Sequence, residues 1–308
     1  ATRRYGAFSP ATQKAWMLLL EGPYRQGTNG TEKSSIVAAR PALDVKKSGP
    51  NAGLEIPYDP ALIIRAQSLL LEDADKLSAS RPYRFDLVDV QRQMMTNLGQ
   101  LIHRKAAEAF RSKDREAFTL HSGRFLGMLA DMDTLLRTRS EYSFDRWLTE
   151  ARSWGETEEE KNQMERDATS LVTIWGADGD PRIFDYSWRE WAGLINGYYL
   201  PRWQKFYTML QQHLDEGTSY EEAGLPQIYG REAFRANDFY HALAEWELSY
   251  VDTYGKARIP ATEGDEVDIV KRLFKKYFKL SQEYYTDSIK LIKPSRDERT
   301  YENLGEDL

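Results

Sequence analysis

Few residues of this 308-residue chain are spaced for catalysis. The four histidines, His103, His121, His213 and His241, are scattered. A helical di-metal site wants Glu-x-x-His on each of two helices, together with further carboxylates. The nearest sequence, Asp238-Phe239-Tyr240-His241, occurs once. No metal site is therefore expected, and the histidines read as surface or hydrogen-bonded groups. The absence of cysteine removes thiol catalysis, disulfides and Cys-ligated metal, and leaves the compartment open. HExxH, GxSxG, P-loop and GxGxxG patterns do not occur, so no cofactor is expected. Acidic residues are plentiful, but "ETEEEK" from Glu156 reads as a helix start placed at the positive end of the helix dipole. No two carboxylates stand out as acid and base.

The remaining chemistry is aromatic. "IWGADGDPRIFDYSWREWAGLINGYYLPRW", Ile174 to Trp203, holds four of the eight tryptophans. In its second part Trp191, Leu194, Ile195, Tyr198 and Tyr199 recur at helical spacing and continue through Phe206, Met209 and Leu210, the pattern of a core-facing stripe. Pro201 deletes one helical hydrogen bond and predicts a kink. In the first part Trp175 ends a helix, and Gly176, Gly179 and Pro181 force a loop. Ile183 and Tyr186 follow just before the next helix, which Asp185 would cap, or Ser187 with Glu190 in a capping box. Aromatic rings at such junctions can line a cleft. A Trp or Tyr face packs on the C–H face of a sugar, and a Tyr hydroxyl can hydrogen-bond to it. The residues alone leave open whether they do this or only anchor the loop.

The elements that must position these rings read as helical almost throughout. Ser9-Pro10 and Asp59-Pro60 are N-cap and first-turn pairs, and Gly22-Pro23 is a stop. Leu62, Ile63, Ala66, Leu69, Leu70 and Ala74 mark an amphipathic face after the second start. Further helices are predicted at about Phe85–Ser112, Arg115–Arg139, Phe144–Trp154, Thr157–Val172, Ser187–Leu214, Glu232–Val251 and Glu266–Ile292. Sustained period-two alternation is lacking, so no β-sheet is expected. The fold class is all-α: one large bundle-like domain over residues 1–292 with a polar tail at 293–308. Two irregular stretches interrupt it, Gly22–Tyr58 and Gly176–Asp185, the first longer than the ~12–15 residues at which loops are often functional or disordered. Asn29-Gly30-Thr31 fits a glycosylation acceptor or a tight turn, and the turn is favoured because Asn-Gly takes positive φ readily. A net charge of −6 argues against nucleic acid, whose binders usually carry a basic stripe. No apolar run reaches the ~20 residues of a membrane-spanning helix.

Several segments carry a resemblance: "RRYG" at Arg3–Gly6, the Ala15–Leu20 helix, "ARP" at Ala39–Pro41, "YRFDLVDV" at Tyr83–Val90 and "LVTIWG" at Leu171–Gly176. "DYSWREWAGL" at Asp185–Leu194, "YYLPRW" at Tyr198–Trp203 and "VDIVKRLFKKYF" at Val267–Phe278 complete it. In order and content they resemble the C-terminal helical domain of the α-N-acetylglucosaminidases, family 89 of the glycoside hydrolases. That family includes a lysosomal heparan-degrading enzyme and bacterial mucin-degrading relatives. The likeness covers nearly the whole chain, and "WG", "DY", "WAGL" and "YY.PRW" at these spacings are its most specific part.

The resemblance implies retaining hydrolysis by two carboxylates, ~5–5.5 Å apart, carried by a (β/α)₈ barrel N-terminal to the helical domain. No barrel is expected in this chain, hence no catalytic residue. The helical domain is implied to form one wall of the pocket for a terminal α-linked N-acetylglucosamine. Carried over by position, Trp175, Ile183 and Tyr186 are the substrate-binding residues. Pro181-Arg182 lengthens the loop between them, which bears most on Ile183 and on the sugar accepted beyond the terminal one. Gly197, in "NGYY" where some relatives have "NYY", is expected to relieve crowding. The implied partners are such a glycan and the barrel of a parent enzyme, and the implied location is secreted, periplasmic or lysosomal. The alternative is a stand-alone, non-enzymatic helical scaffold that binds glycan or protein. A scaffold predicts a well-covered surface, whereas a detached domain predicts exposed apolar area.

Overall fold

Local capping sets the helix starts that the sequence marks. The computed structural model describes residues 1–25, 34–49, 52–175, 183–220, 222, 237–256 and 263–285. After a short α1 (Thr2–Tyr5), the Ser9 hydroxyl accepts from Thr12 N–H at 3.0 Å and opens α2 (Pro10–Glu21). Asp59 accepts from Ala61 N–H at 2.9 Å and opens α3 (Pro60–Glu72), followed by α4 (Ala74–Leu77). Each carries proline in the first turn, where the missing N–H costs nothing. Asp114 caps α6 (Arg115–Leu136), and Thr157 with Glu160 forms a reciprocal box at the start of α8 (Glu158–Val172). The remaining helices are α5 (Arg81–Arg111), α7 (Phe144–Arg152), α9 (Leu200–Glu216), α10 (Asp238–Val251) and α11 (Glu266–Tyr284). The chain is all-α.

The long α5 is the axis. Its buried Leu87, Met94, Met95, Leu98, Ile102 and Ala106 face α3, α6 and α11. Gly99 lets α6 approach closely, since a Cβ there would lie 2.6 Å from Met128 Cε. α9 packs on α6 through Trp203 and Tyr207, while α7 and α8 form a hairpin at the side. Trp147 ties that hairpin by donating its indole N–H to the Ala168 carbonyl at 2.9 Å.

The stretch between α2 and α3 is no loose loop where it is described. Ile36, Val37, Ala38, Ala39 and Ala42 are fully buried. Buried backbone must find partners, and these come from far away. Arg202 donates to the Ala38 carbonyl at 2.8 Å and the Tyr240 hydroxyl to the Pro41 carbonyl at 2.9 Å. A two-residue antiparallel ladder, β1 (Lys47–Ser48) with β2 (Ala52–Gly53), closes the segment.

One helix differs from its predicted span. Residues Ser187–Gly193 are not helical; helix begins at Leu194, runs as a π turn over Ile195–Tyr199 and continues as α9. Neither expected cap forms. Ala192 instead exchanges hydrogen bonds with the segment before α7: Phe144 N–H to the Ala192 carbonyl at 3.0 Å, and Ala192 N–H to the Tyr142 carbonyl at 2.8 Å. Asp133 of α6 does the capping across the fold, accepting from Gly193 N–H at 2.7 Å and Asn196 N–H at 3.2 Å. Pro201 follows the π turn, so the missing hydrogen bond falls where the helix widens, as π bulges allow. A Cβ at Gly197 would meet the Tyr250 hydroxyl at 3.1 Å, which is the crowding expected there.

Residues 26–33, 50–51, 176–182, 221, 223–236, 257–262 and 286–308 lie outside the described residues. With them go the Asn29-Gly30-Thr31 turn, Gly176 to Arg182 of the second loop, the first turn expected before α10, residues 286–292 and the polar tail.

Candidate functional site

The ends of the second irregular stretch are pinned beside each other. Trp175 N–H donates to the Ser170 carbonyl at 2.7 Å, Ile183 N–H to the Trp175 carbonyl at 3.0 Å, and Asp185 N–H to the Thr173 carbonyl at 2.6 Å. Trp175 and Asp185 both take left-handed backbone, φ 41° and 58°, which is uncommon outside glycine. The clamp brings the indole of Trp175 against the Tyr186 ring, centroids 4.8 Å apart at 53°. Tyr186 is 42% exposed, and Trp175 and Ile183 are half-buried beside it. The structure thus gathers Trp175, Ile183 and Tyr186 into one rim.

What holds the rim is a buried knot of four charges. Arg202 of α9 donates from Nη1 to both carboxylate oxygens of Asp185, at 3.1 and 2.9 Å, and to Glu247 of α10 at 2.9 Å. Arg40 meets the other Glu247 oxygen at 2.7 Å and lies 4.3 Å over the Phe184 ring. Arg202 also lies over Tyr198 and Tyr199, at 4.4 and 5.1 Å. All four charged side chains are buried, and the two positive and two negative groups balance. Burial and the Glu247 carboxylate push Asp185 up to about 6, against the pull of Arg202. Burial alone would lower both guanidinium groups, but Glu247 holds Arg40, and Asp185 with Glu247 holds Arg202, above the ordinary value. Asp185 is thus no helix cap. It fixes the backbone from which Tyr186 projects.

Gly49 supports the same turn from outside. Its φ is 67°, and a Cβ there would lie 2.6 Å from the Asp185 carbonyl oxygen. Sequence periodicity pointed to none of these supports, although "ARP" and "YYLPRW" contain Arg40 and Arg202. A charge inside an apolar stripe was the available signal.

Glu190 turns inward as well. It accepts from the hydroxyls of Ser35 and Thr96 and pairs with Arg92, which is itself bonded to Asp89 at 2.9 Å. Trp191, expected in the core, is only partly buried and packs on Trp147 at 5.8 Å. Among the described residues no group of three or more His, Asp or Glu is gathered to hold a metal. His103 is buried with Nδ1 2.8 Å from the Tyr207 hydroxyl, and His121 and His213 pair with Tyr284 and Thr218. His241 is exposed, 3.7 Å from Glu245. No described helix is long and apolar enough to cross a membrane.

The chain as a whole is similar to known proteins. The alpha-N-acetylglucosaminidase (NAGLU) C-terminal domain family matches residues 1–276. The human alpha-N-acetylglucosaminidase is 31% identical over 284 residues, 90% of this chain and 35% of that protein. A family 89 glycoside hydrolase from Clostridium perfringens, in complex with 2-acetamido-1,2-dideoxynojirmycin, superposes with a TM-score of 0.76 at 26% identity. That likeness covers 89% of this chain and 30% of the bacterial one. The Clostridium perfringens enzyme in complex with its substrate GlcNAc-alpha-1,4-galactose gives a TM-score of 0.78 at 26% identity, over 92% and 31%. The chain therefore spans about a third of the length of these relatives. On this sequence match and shared fold, the chain belongs to the family of alpha-N-acetylglucosaminidase (NAGLU) C-terminal domains.

Proposed function

We propose that this chain is the helical domain of a retaining α-N-acetylglucosaminidase and forms one wall of the pocket for a terminal α-linked N-acetylglucosamine. The two catalytic carboxylates come from a (β/α)₈ barrel elsewhere in the enzyme, and the chain alone does not hydrolyse the substrate. The glycan extends beyond the terminal sugar, as in the GlcNAc-alpha-1,4-galactose bound by the bacterial relative. The observation that carries this reading is the half-open Trp175–Tyr186 pair, mounted on buried charges in a chain of this family. Aromatic faces are a natural platform for the C–H face of a pyranose, and the Tyr186 hydroxyl is a hydrogen-bonding group at its edge. Phe8, Leu20 and Tyr24, each more than half exposed near the N-terminus, offer apolar surface for a neighbouring domain. The place of action is extracytoplasmic, in keeping with glycan degradation.

The test is Trp175→Ala in the enzyme that unites this domain with its barrel. Turnover of an aryl α-N-acetylglucosaminide should fall at least tenfold, while the helical circular dichroism signal and Tm stay close to wild type. Lost helicity and Tm with normal turnover in the folded fraction would make Trp175 a packing residue only.

A further inference from the structure

Three arginines from two elements meet at the start of α11. Arg81 and Arg84 lie in the first turn of α5, and Arg139 directly precedes a 3₁₀ turn, Ser140–Tyr142. With Ser140, Glu141 and Glu266 they wall a cleft of about 460 Å³. That volume lies within the ~300–1,000 Å³ of small-molecule sites.

The carboxylates in the cleft are occupied. Glu141 Oε1 accepts from Arg139 Nη2 at 2.7 Å and from Arg81 Nη2 at 2.9 Å, and its Oε2 accepts from Arg139 Nε at 3.2 Å. Glu266 Oε1 accepts from Arg139 Nη1 at 3.0 Å. Its Oε2 meets Arg84 Nη1 at 3.5 Å, beyond the usual range of a hydrogen bond. Burial would raise the Glu141 carboxyl, but Arg139, its own backbone N–H and Arg81 hold it down at about 2, so it stays ionised. Asp265 turns Oδ1 to the N–H groups of Val267 and Asp268, at 2.8 and 3.2 Å, and so caps α11.

Donors, by contrast, are in excess. A guanidinium has five N–H groups. Arg139 uses three of them on the two glutamates, while Arg81 and Arg84 use one each. Arg84 Nε is buried without a partner. The Arg84 and Arg81 side chains are 33% and 70% exposed, so their other donors can be reached from the cleft, and the Ser140 hydroxyl adds one more. Three positive groups face Glu141 and Glu266, and the charge of Asp265 is offset by the positive end of the helix it caps. A neutral hydroxyl would supply acceptors without charge. An oxyanion supplies both, and guanidinium forks match its geometry.

From this we infer that the cleft between Arg81, Arg84 and Arg139 binds a tetrahedral oxyanion of the phosphate type, free or carried on a small molecule. Arg81 and Arg84 grip the anion. Arg139, only 5% exposed, keeps both glutamates turned to itself and away from the ligand.

The test is isothermal titration calorimetry of the full 308-residue chain with inorganic phosphate, at an ionic strength held constant with chloride. Saturable binding with a Kd of about 1 mM or tighter is expected. Arg81→Gln combined with Arg84→Gln should weaken it at least tenfold with the helical circular dichroism signal unchanged. If that pair lowers helicity, Arg81→Gln alone, at the most exposed of the three arginines, carries the comparison. Arg84→Lys keeps the charge without the fork and should weaken binding less. Arg146→Gln, on the exposed side of α7, should bind as wild type does. A wild-type chain without saturable phosphate binding would overturn the site. So would equal affinity in the arginine variants, which would make phosphate a general counter-ion only. Glucose 6-phosphate distinguishes the source: tighter binding than inorganic phosphate assigns the cleft to a phosphate carried on a sugar, and equal or weaker binding to the free anion.

Discussion

A single guanidinium does the most to shape the site. Arg202 spans Asp185, Glu247 and the Ala38 carbonyl, so it joins α9, α10, the early buried segment and the backbone carrying Tyr186. Replacing it with methionine would leave two buried carboxylates short of counter-charge, a change that typically costs about 3–5 kcal/mol. Arg202→Met is therefore expected to lower Tm by on the order of 10 °C, read by thermal circular dichroism. Lysine should rescue this only in part, because a point charge cannot span the same acceptors. None of this was legible from periodicity. The Tyr198 and Tyr199 positions were read correctly as core, because apolar residues at helical spacing announce a buried face. An arginine three positions after Tyr199 is counted as polar by the same logic. Only its partners, 17 and 45 residues further off in the chain, reveal it as buried.

At the scale of elements, the parts legible in advance are those whose causes are local. Ser9 with Pro10, Asp59 with Pro60, and the Glu-rich start of α8 each satisfy nearby backbone groups, and each predicted helix is there. The expected helix from Ser187 failed because its causes are distant. Ala192 bonds to Tyr142 and Phe144, and Asp133 caps Gly193 from 60 residues away. The same holds for the rim. Flanking a loop placed Trp175 and Tyr186 near each other, but their 4.8 Å contact needs Asp185 in left-handed backbone against Gly49. Gly49→Ala should expose that dependence. Its Cβ would meet a backbone oxygen that cannot swing away, and its φ is unfavourable for alanine. The variant is expected to lose about 1–3 kcal/mol in urea unfolding. In the whole enzyme its kcat/KM should fall by more than Thr149→Ala, a control on the exposed face of α7.

For the molecule as a whole, two buried groups make stability depend on pH in opposite senses. His103 joins α5 to α6 and α9, against Trp203 at 4.8 Å and Phe125 at 5.9 Å, and burial pushes its imidazolium down to about 4. Its folded value is below its unfolded one of about 6.5. The contribution is thus complete above pH 6.5 and is lost as pH falls through 4. The shift corresponds to roughly 3 kcal/mol. Asp185 has a folded value raised to about 6, so its contribution is complete below its unfolded value near 4 and is lost as pH rises through 6. Removing the histidine should leave the second effect in sole view. In His103→Leu, Tm is expected to fall less, or to rise, between pH 6.5 and 4.5, where wild type falls or stays flat; identical slopes would exclude His103 as the acid-sensitive group. The buried early segment has a consequence in time. Residues 36–42 rest on Arg202, Tyr240 and Glu247, up to 207 positions later in the chain. On a ribosome they emerge long before these three partners, and closing so wide a gap is slow. The segment's backbone and charged groups wait for native partners until α9 and α10 have been made.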